Sequence, residues 1–115
     1  MTYRSRPLAQ RVIEATKIKQ RYPDRVPIIV EKSENIRTDL PDINKNKYLV
    51  PKDLSLGQFI YVIRRQLQLS PDKALFLFVN NRLLPSSELM GTIYATECNM
   101  DGFLYVVYSG ESVFG

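Results

Sequence analysis

Histidine is missing from all 115 residues, and tryptophan is missing with it. The lack of histidine removes Ser–His and Cys–His nucleophile pairs, His-ligated zinc and imidazole acid–base chemistry. A single cysteine, Cys98, rules out an internal disulfide and agrees with a reducing compartment; no base can be named that would make it a nucleophile. The five glycines are scattered through the chain, so no glycine-rich phosphate loop is present. No spacing of carboxylates points to an acid–base pair. An enzyme is therefore not expected, nor is a cofactor or a metal. Long apolar runs are missing too: the longest, Ala74–Val79, is strand-sized and far short of the roughly 20 residues a spanning helix needs. The leading MTYRSRPLAQ lacks the apolar core of a signal peptide, so a cytoplasmic location is expected.

What is present reads as one globular domain, 44% hydrophobic and 24% charged, large enough for a core without staples. The formal charge of +4 is uneven. Residues 1–25 hold seven basic side chains against Glu14 and Asp24, whereas the remainder is close to neutral. Such a segment is either a solvated helix face or a surface for nucleic acid, acidic membrane or acidic peptide.

Ser5 is placed to cap a first turn containing Pro7, and Leu8, Val12, Ala15, Ile18 and Tyr22 recur at helical spacing, with a break conceivable near Gln10. Tyr22-Pro23 ends this stretch. Arg25–Lys32 is β-branched and strand-like, although Pro27 inside it must lie on an unpaired side. A polar loop, 33–46, leads to a short strand, Lys47–Val50, stopped by Pro51. Ser55 and Gln58 form a capping box; behind it Leu56, Phe59, Ile60, Ile63 and Leu67 share one helical face as far as about Gln68. Leu75–Val79 reads as a strand, Asn80-Asn81 as a turn, and Ser86/Ser87 as the cap of a short helix carrying Leu89, Met90, Ile93 and Tyr94. Asp101-Gly102 turns into a last strand, Phe103–Tyr108. After the leading helices the order is strand, strand, helix, strand, short helix, strand. That predicts an α+β fold with these helices on one face of the sheet, in the order of a ubiquitin-like β-grasp.

Several ordered stretches carry a closer resemblance: Tyr22-Pro23-Asp24-Arg25-Val26-Pro27, Lys47-Tyr48-Leu49-Val50-Pro51, Gly57-Gln58-Phe59, Phe78-Val79-Asn80-Asn81, Gly102-Phe103-Leu104-Tyr105 and Tyr108-Ser109-Gly110-Glu111. With them, residues 7–115 resemble the autophagy-related ubiquitin-like modifiers of the GABA-A-receptor-associated-protein and light-chain group. The resemblance implies a four-stranded mixed sheet with a packed helix, preceded by two N-terminal helices. It divides the chain into a helical segment at 1–24, a β-grasp body at 25–108 and a conjugation tail at 109–115.

It also implies a function. Gly115 would be exposed by a processing cysteine protease or already be terminal. Activating and conjugating enzymes would then pass it to phosphatidylethanolamine of the autophagosome membrane, gripping Val113 and Phe114. Cargo receptors and autophagy proteins would dock through aromatic-x-x-aliphatic segments added as a strand to Lys47–Val50. By the resemblance, Glu14, Ile18, Pro27, Ile29, Lys47, Leu49 and Phe103 take the aromatic residue. Tyr48, Val50, Pro51, Leu54, Phe59, Val62 and Ile63 take the aliphatic one, and Arg25 and Lys45 form a charged rim. The chain departs from the family where Leu8-Ala9-Gln10-Arg11 replaces Phe-Glu-Lys-Arg, where Asn46 and Gln66 replace bases, and where Leu84-Pro85 replaces Pro-Pro. Two other readings stand beside this one. One is a ubiquitin-like module that docks peptides without being conjugated. The other is a basic adaptor for microtubules or nucleic acid through residues 1–25; it lacks aromatic interleaving and any nucleic-acid motif, so no nucleic-acid partner is expected.

Overall fold

A computed structural model of the chain describes residues 2–34 and 39–112. Its frame is a four-stranded sheet of β1 (Arg25–Lys32), β2 (Lys47–Pro51), β3 (Phe76–Phe78) and β4 (Leu104–Ser109), in the order β2-β1-β4-β3. β1 runs antiparallel to β2 and parallel to β4, and β4 antiparallel to β3. The sheet is therefore mixed, and β2 lies at its edge, as its brevity and proline stop predict. Val26 to Val30 are buried without alternation, because this central strand is covered on both faces.

Pro27 fits that central strand for a local reason. Val30 N–H donates to the Asn46 carbonyl and Lys52 N–H to the Asp24 carbonyl, so the even-numbered residues of β1 bond to β2. Pro27 faces Leu49 as a non-bonded pair, and its nitrogen points the other way. On that side the ladder with β4 starts only at Ile28↔Leu104, so no donor is missed.

Three α-helices follow the sequence reading with corrections: α1 (Leu8–Arg21), α2 (Leu56–Leu67) and α3 (Met90–Glu97). α1 is unbroken, and the first of the two implied N-terminal helices is a single 3-10 turn, Tyr3–Ser5. Ser5 does not cap α1; its hydroxyl bonds back to the Thr2 carbonyl and Pro7 occupies the cap position. The capping box on α2 is present in full, and Leu56, Phe59, Ile63 and Leu67 are its buried face. α3 begins later than expected, without a side-chain cap from Ser86 or Ser87. The reason is that 86–90 is strapped to the start of α2: Gly57 N–H bonds the Ser86 carbonyl, Leu56 N–H the Glu88 carbonyl, and Met90 N–H the Leu54 carbonyl. Asn80 and Asn81 both have positive φ, 48° and 66°, which the mutual Val79–Arg82 bonds close into a tight primed turn.

The helices do not share one face. α2 and α3 pack with Val26, Ile28, Val30, Tyr48, Val50, Leu77, Leu104, Val106 and Tyr108 in the main core. α1 covers the other face, where Ile29, Phe103 and Tyr105 meet Ala15, Ile18 and Tyr3. Side chains alternate along strands, so two central strands apolar throughout need a cover on each side. The expected α1 stripe is also rotated. Leu8, Val12 and Tyr22 are exposed, and the inward positions are Arg11, Glu14, Ala15 and Ile18. Gly102 permits this close approach: its φ is +93°, and a Cβ there would stand 2.9 Å from that of Ala15.

Candidate functional site

The edge strand is the chemically open part of the molecule. Even-numbered residues of β2 bond to β1, so the N–H and C=O groups of Lys47 and Leu49 face outward. Pro51 closes this row with a residue that has no N–H. Side chains alternate in the other direction. Tyr48 and Val50, each 7% exposed, turn into the main core, while Lys47 and Leu49 lie half-buried toward α1.

On the α1 side the structure gathers the expected aromatic-pocket residues around the smaller cluster. Ile29 and Phe103 form its floor at 0% and 1% exposure, with Pro27 buried beside them and Ile18 packed on the cluster. Lys47 forms an ion pair with Glu14, and the Tyr3 hydroxyl donates to the same carboxylate. Burial pushes the Glu14 carboxyl up, but hydrogen bonds from Lys47 and Tyr3 and the Lys47 charge outweigh it and hold it below its ordinary value. Burial first, then the bond to Glu14, pushes the Tyr3 phenol up.

On the other side, Phe59 and Ile63 are fully buried core residues shared with α2. Leu54 and Val62 are half-buried and packed on this core, so they present the accessible part of the expected aliphatic pocket, while Pro51 is exposed at the strand end with the parity of Leu49. The Tyr48 ring stands edge-on to Phe59 at 5.7 Å. Its hydroxyl is buried without a hydrogen-bond partner among the described residues, and burial pushes it up to about 12. Of the expected rim, Lys45 sits 5.0 Å above the Tyr48 ring, and Arg25 reaches toward the outward carbonyl of Leu49. Val113, Phe114 and Gly115 lie outside the described residues.

The basic leading segment is partly turned inward. Arg4 lies 4.0 Å over the Tyr105 ring, Arg6 lies 5.0 Å over that of Tyr3, and Arg11 pairs with Asp101 at 2.9 Å. Asp101 is 1% exposed and fully engaged: it also accepts from Phe103 N–H and from the Tyr105 hydroxyl, both across the turn that starts β4. Sequence reasoning took Asp101 for a turn residue and missed Tyr3, Arg11 and Tyr105 as parts of the site. A lone aromatic between Thr2 and Arg4 was the available signal for an anchor. Beyond α1, an open cleft of about 340 Å³ between Val12, Lys19 and Met100 contains none of the expected docking residues. Among the described residues no carboxylate or cysteine cluster could hold a metal ion, and no helix is long and apolar enough to cross a membrane.

A mixed sheet crossed by one capped helix, with an open edge strand, defines a ubiquitin-like protein. The comparisons narrow the class. The family profile described as "Autophagy protein Atg8 ubiquitin like" matches residues 10–115. Autophagy-related protein 8B of Oryza sativa subsp. indica is 55% identical over 108 residues, 94% of this chain and 89% of that relative. Autophagy-related protein 8d of Arabidopsis thaliana is 52% identical over 109 residues, covering 95% and 89%. The crystal structure of Trypanosoma brucei ATG8 superposes with a TM-score of 0.88 at 44% identity, covering 98% of this chain and 96% of that one. The chain belongs to the Atg8 family. It is an autophagy-related ubiquitin-like protein, and members of this family are modifiers rather than enzymes.

Proposed function

We propose that this protein is joined through Gly115 to phosphatidylethanolamine on autophagosomal membranes, and that it recruits cargo receptors and autophagy machinery by taking their aromatic-x-x-aliphatic segments as an extra strand on β2. The observation that carries the docking half is geometric. Residues three apart on an extended strand point to opposite faces. The free edge of β2 has Ile29, Phe103 and Leu49 on one face, and Leu54 and Val62, packed on the main core, on the other. An aromatic and an aliphatic side chain three positions apart reach both at once, while Lys47 and Leu49 supply the main-chain bonds. The exposed Arg25 and Lys45 nearby suit acidic flanks on such a segment.

The conjugation half rests on the family and on the chemistry of glycine. A terminal carboxylate is adenylated with release of pyrophosphate and passed to an enzyme cysteine with release of AMP. The lipid amine then displaces that thiol to form the amide. Glycine leaves its carbonyl unhindered in each transfer. A cysteine protease acts first wherever residues follow Gly115, and the protein moves from cytoplasm to autophagosome membrane when the lipid is added.

Both halves are tested on the full chain. Leu49→Ala weakens docking of a synthetic motif peptide by about 1–3 kcal/mol in calorimetry. Deleting Gly115 abolishes lipid transfer in a reconstitution with activating and conjugating enzymes, ATP and phosphatidylethanolamine liposomes, yet leaves peptide docking intact. Lipid addition to the deletion variant at the parent's rate overturns the conjugation reading in favour of an unconjugated docking module.

A further inference from the structure

We propose that Tyr3 is a built-in occupant of the aromatic pocket, latched by Glu14 and Lys47, which a docking segment displaces before its own aromatic residue can enter. The inference rests on the docking reading above and adds a control to the same site.

The floor of the pocket is closed in this structure, with Ile29 and Phe103 at 0% and 1% exposure. One side chain accounts for much of the cover. The Tyr3 ring stands edge-on to Phe103, with centroids 5.2 Å apart at 74°, and is itself only 4% exposed. Its hydroxyl donates to Glu14, while the Lys47 ammonium pairs with Glu14 and sits 5.0 Å from the centre of the Tyr3 ring. Three of the pocket's expected walls, Phe103, Glu14 and Lys47, are thus engaged by one aromatic residue. Its chemistry is that of the ligand the pocket is expected to take: a flat ring that meets Phe103 in an edge-to-face contact.

The segment that delivers the ring is poorly anchored. Tyr3–Ser5 is one 3-10 turn without a side-chain cap. Its ties to the body, apart from the Tyr3 contacts, include the ion pair of half-exposed Arg4 with Glu31 at 3.4 Å, the Arg4 stacking on Tyr105 and an Arg11 bond to the carbonyl of the capping Arg6. Short turns with few bonds open at low free energy. Among the described residues nothing comparable covers the other side of β2, where Leu54 and Val62 stay half-exposed. A docking segment therefore seats its aliphatic end first and waits at the aromatic end. A latch closed nine-tenths of the time weakens apparent affinity about tenfold, because only the open fraction binds.

The test is calorimetry and stopped-flow binding of one synthetic aromatic-x-x-aliphatic peptide to the full-length parent, Tyr3→Ala, Tyr3→Phe and Leu49→Ala. Tyr3→Ala is expected to tighten binding about five- to tenfold and to speed association. Tyr3→Phe keeps the ring but loses the bond to Glu14, and is expected to tighten binding by about two- to threefold. Unchanged or weaker binding by Tyr3→Ala, with Leu49→Ala still defective, overturns the latch and makes Tyr3 a bystander or a wall of the pocket. Should Tyr3→Ala not fold, unchanged affinity of Tyr3→Phe overturns it instead. Full binding by Leu49→Ala removes the docking reading, and the latch falls with it.

Discussion

On one face of the sheet, α2 and α3 press Leu56, Phe59, Ile63, Leu67, Met90 and Ile93 onto the strands. On the other, α1 contributes Ala15 and part of Ile18, and the rest of its hold is polar: Arg11 on Asp101, Glu14 on Lys47 and Tyr3. The difference is one of exchangeability. Apolar burial is lost only by exposing surface to water, so the α2 face acts as a fixed scaffold. The Glu14–Lys47 pair and the Tyr3–Glu14 bond, both partly exposed, can be exchanged for water or for a partner's groups at modest net change, whereas the buried Arg11–Asp101 pair cannot. The proposed docking edge lies where the two faces meet, with one side set and the other able to rearrange.

The most forceful way to break this comparison is at its rigid half. Phe59→Ala is expected to lower global stability by about 3–5 kcal/mol, read in urea or thermal unfolding, with the whole domain affected together. Loss confined to α2 amides would contradict its role as scaffold. A smaller and more local effect is expected at the polar half. Asp101→Ala leaves Arg11, the Tyr105 hydroxyl and Phe103 N–H without their shared acceptor, at about 1–3 kcal/mol. Hydrogen exchange should report it chiefly as faster exchange along α1, with α2 little changed. Equal acceleration in both helices would mean that the two faces are one cooperative unit.

The smallest effect separates the faces by pH. Glu14 is held below its ordinary value, so its contribution is complete above the ordinary carboxylate range and is lost as pH falls through the folded value. Acid below the ordinary carboxylate range should therefore loosen α1 and the Tyr3 turn while the α2 face persists, as followed by amide signals across the acid range. Base makes no such distinction. Burial pushes Tyr105 on one face and Tyr48 and Tyr108 on the other up to about 12, so each favours folding below its ordinary value near 10 and loses that contribution as pH rises toward 12.

The rigid face was legible in the sequence because its signals are local. Ser55 and Gln58 are three residues apart, and the helix they open repeats its apolar positions at helical spacing. The Asn80-Asn81 turn and the edge character of Lys47–Pro51 are equally short-range. The α1 face was misread in detail. Its inward positions include Arg11 and Glu14, which a hydrophobic pattern assigns to solvent, and their partners are distant in the chain. Arg11 finds Asp101 ninety residues away, and Glu14 finds Lys47 thirty-three residues away. The start of α3 was misplaced for a related reason: bonds from 54–57 hold 86–89 in a turn and a bridge ahead of the helix, against the capping tendency of its own serines.

The parallel pairing of β1 with β4 sets the order in which the molecule is completed. Its register joins Ile28 to Leu104 and Lys32 to Tyr108, so the two central strands of the sheet lie far apart in the chain. Everything made between them can form the β1–β2 hairpin and α2 early, but the middle of the sheet stays open until β4 is supplied. A nascent chain on the ribosome thus leaves the β4-facing edge of β1 unpaired for most of its synthesis and closes in a late, non-local step. The strand that completes the fold, Leu104–Ser109, is also the last one the ribosome supplies.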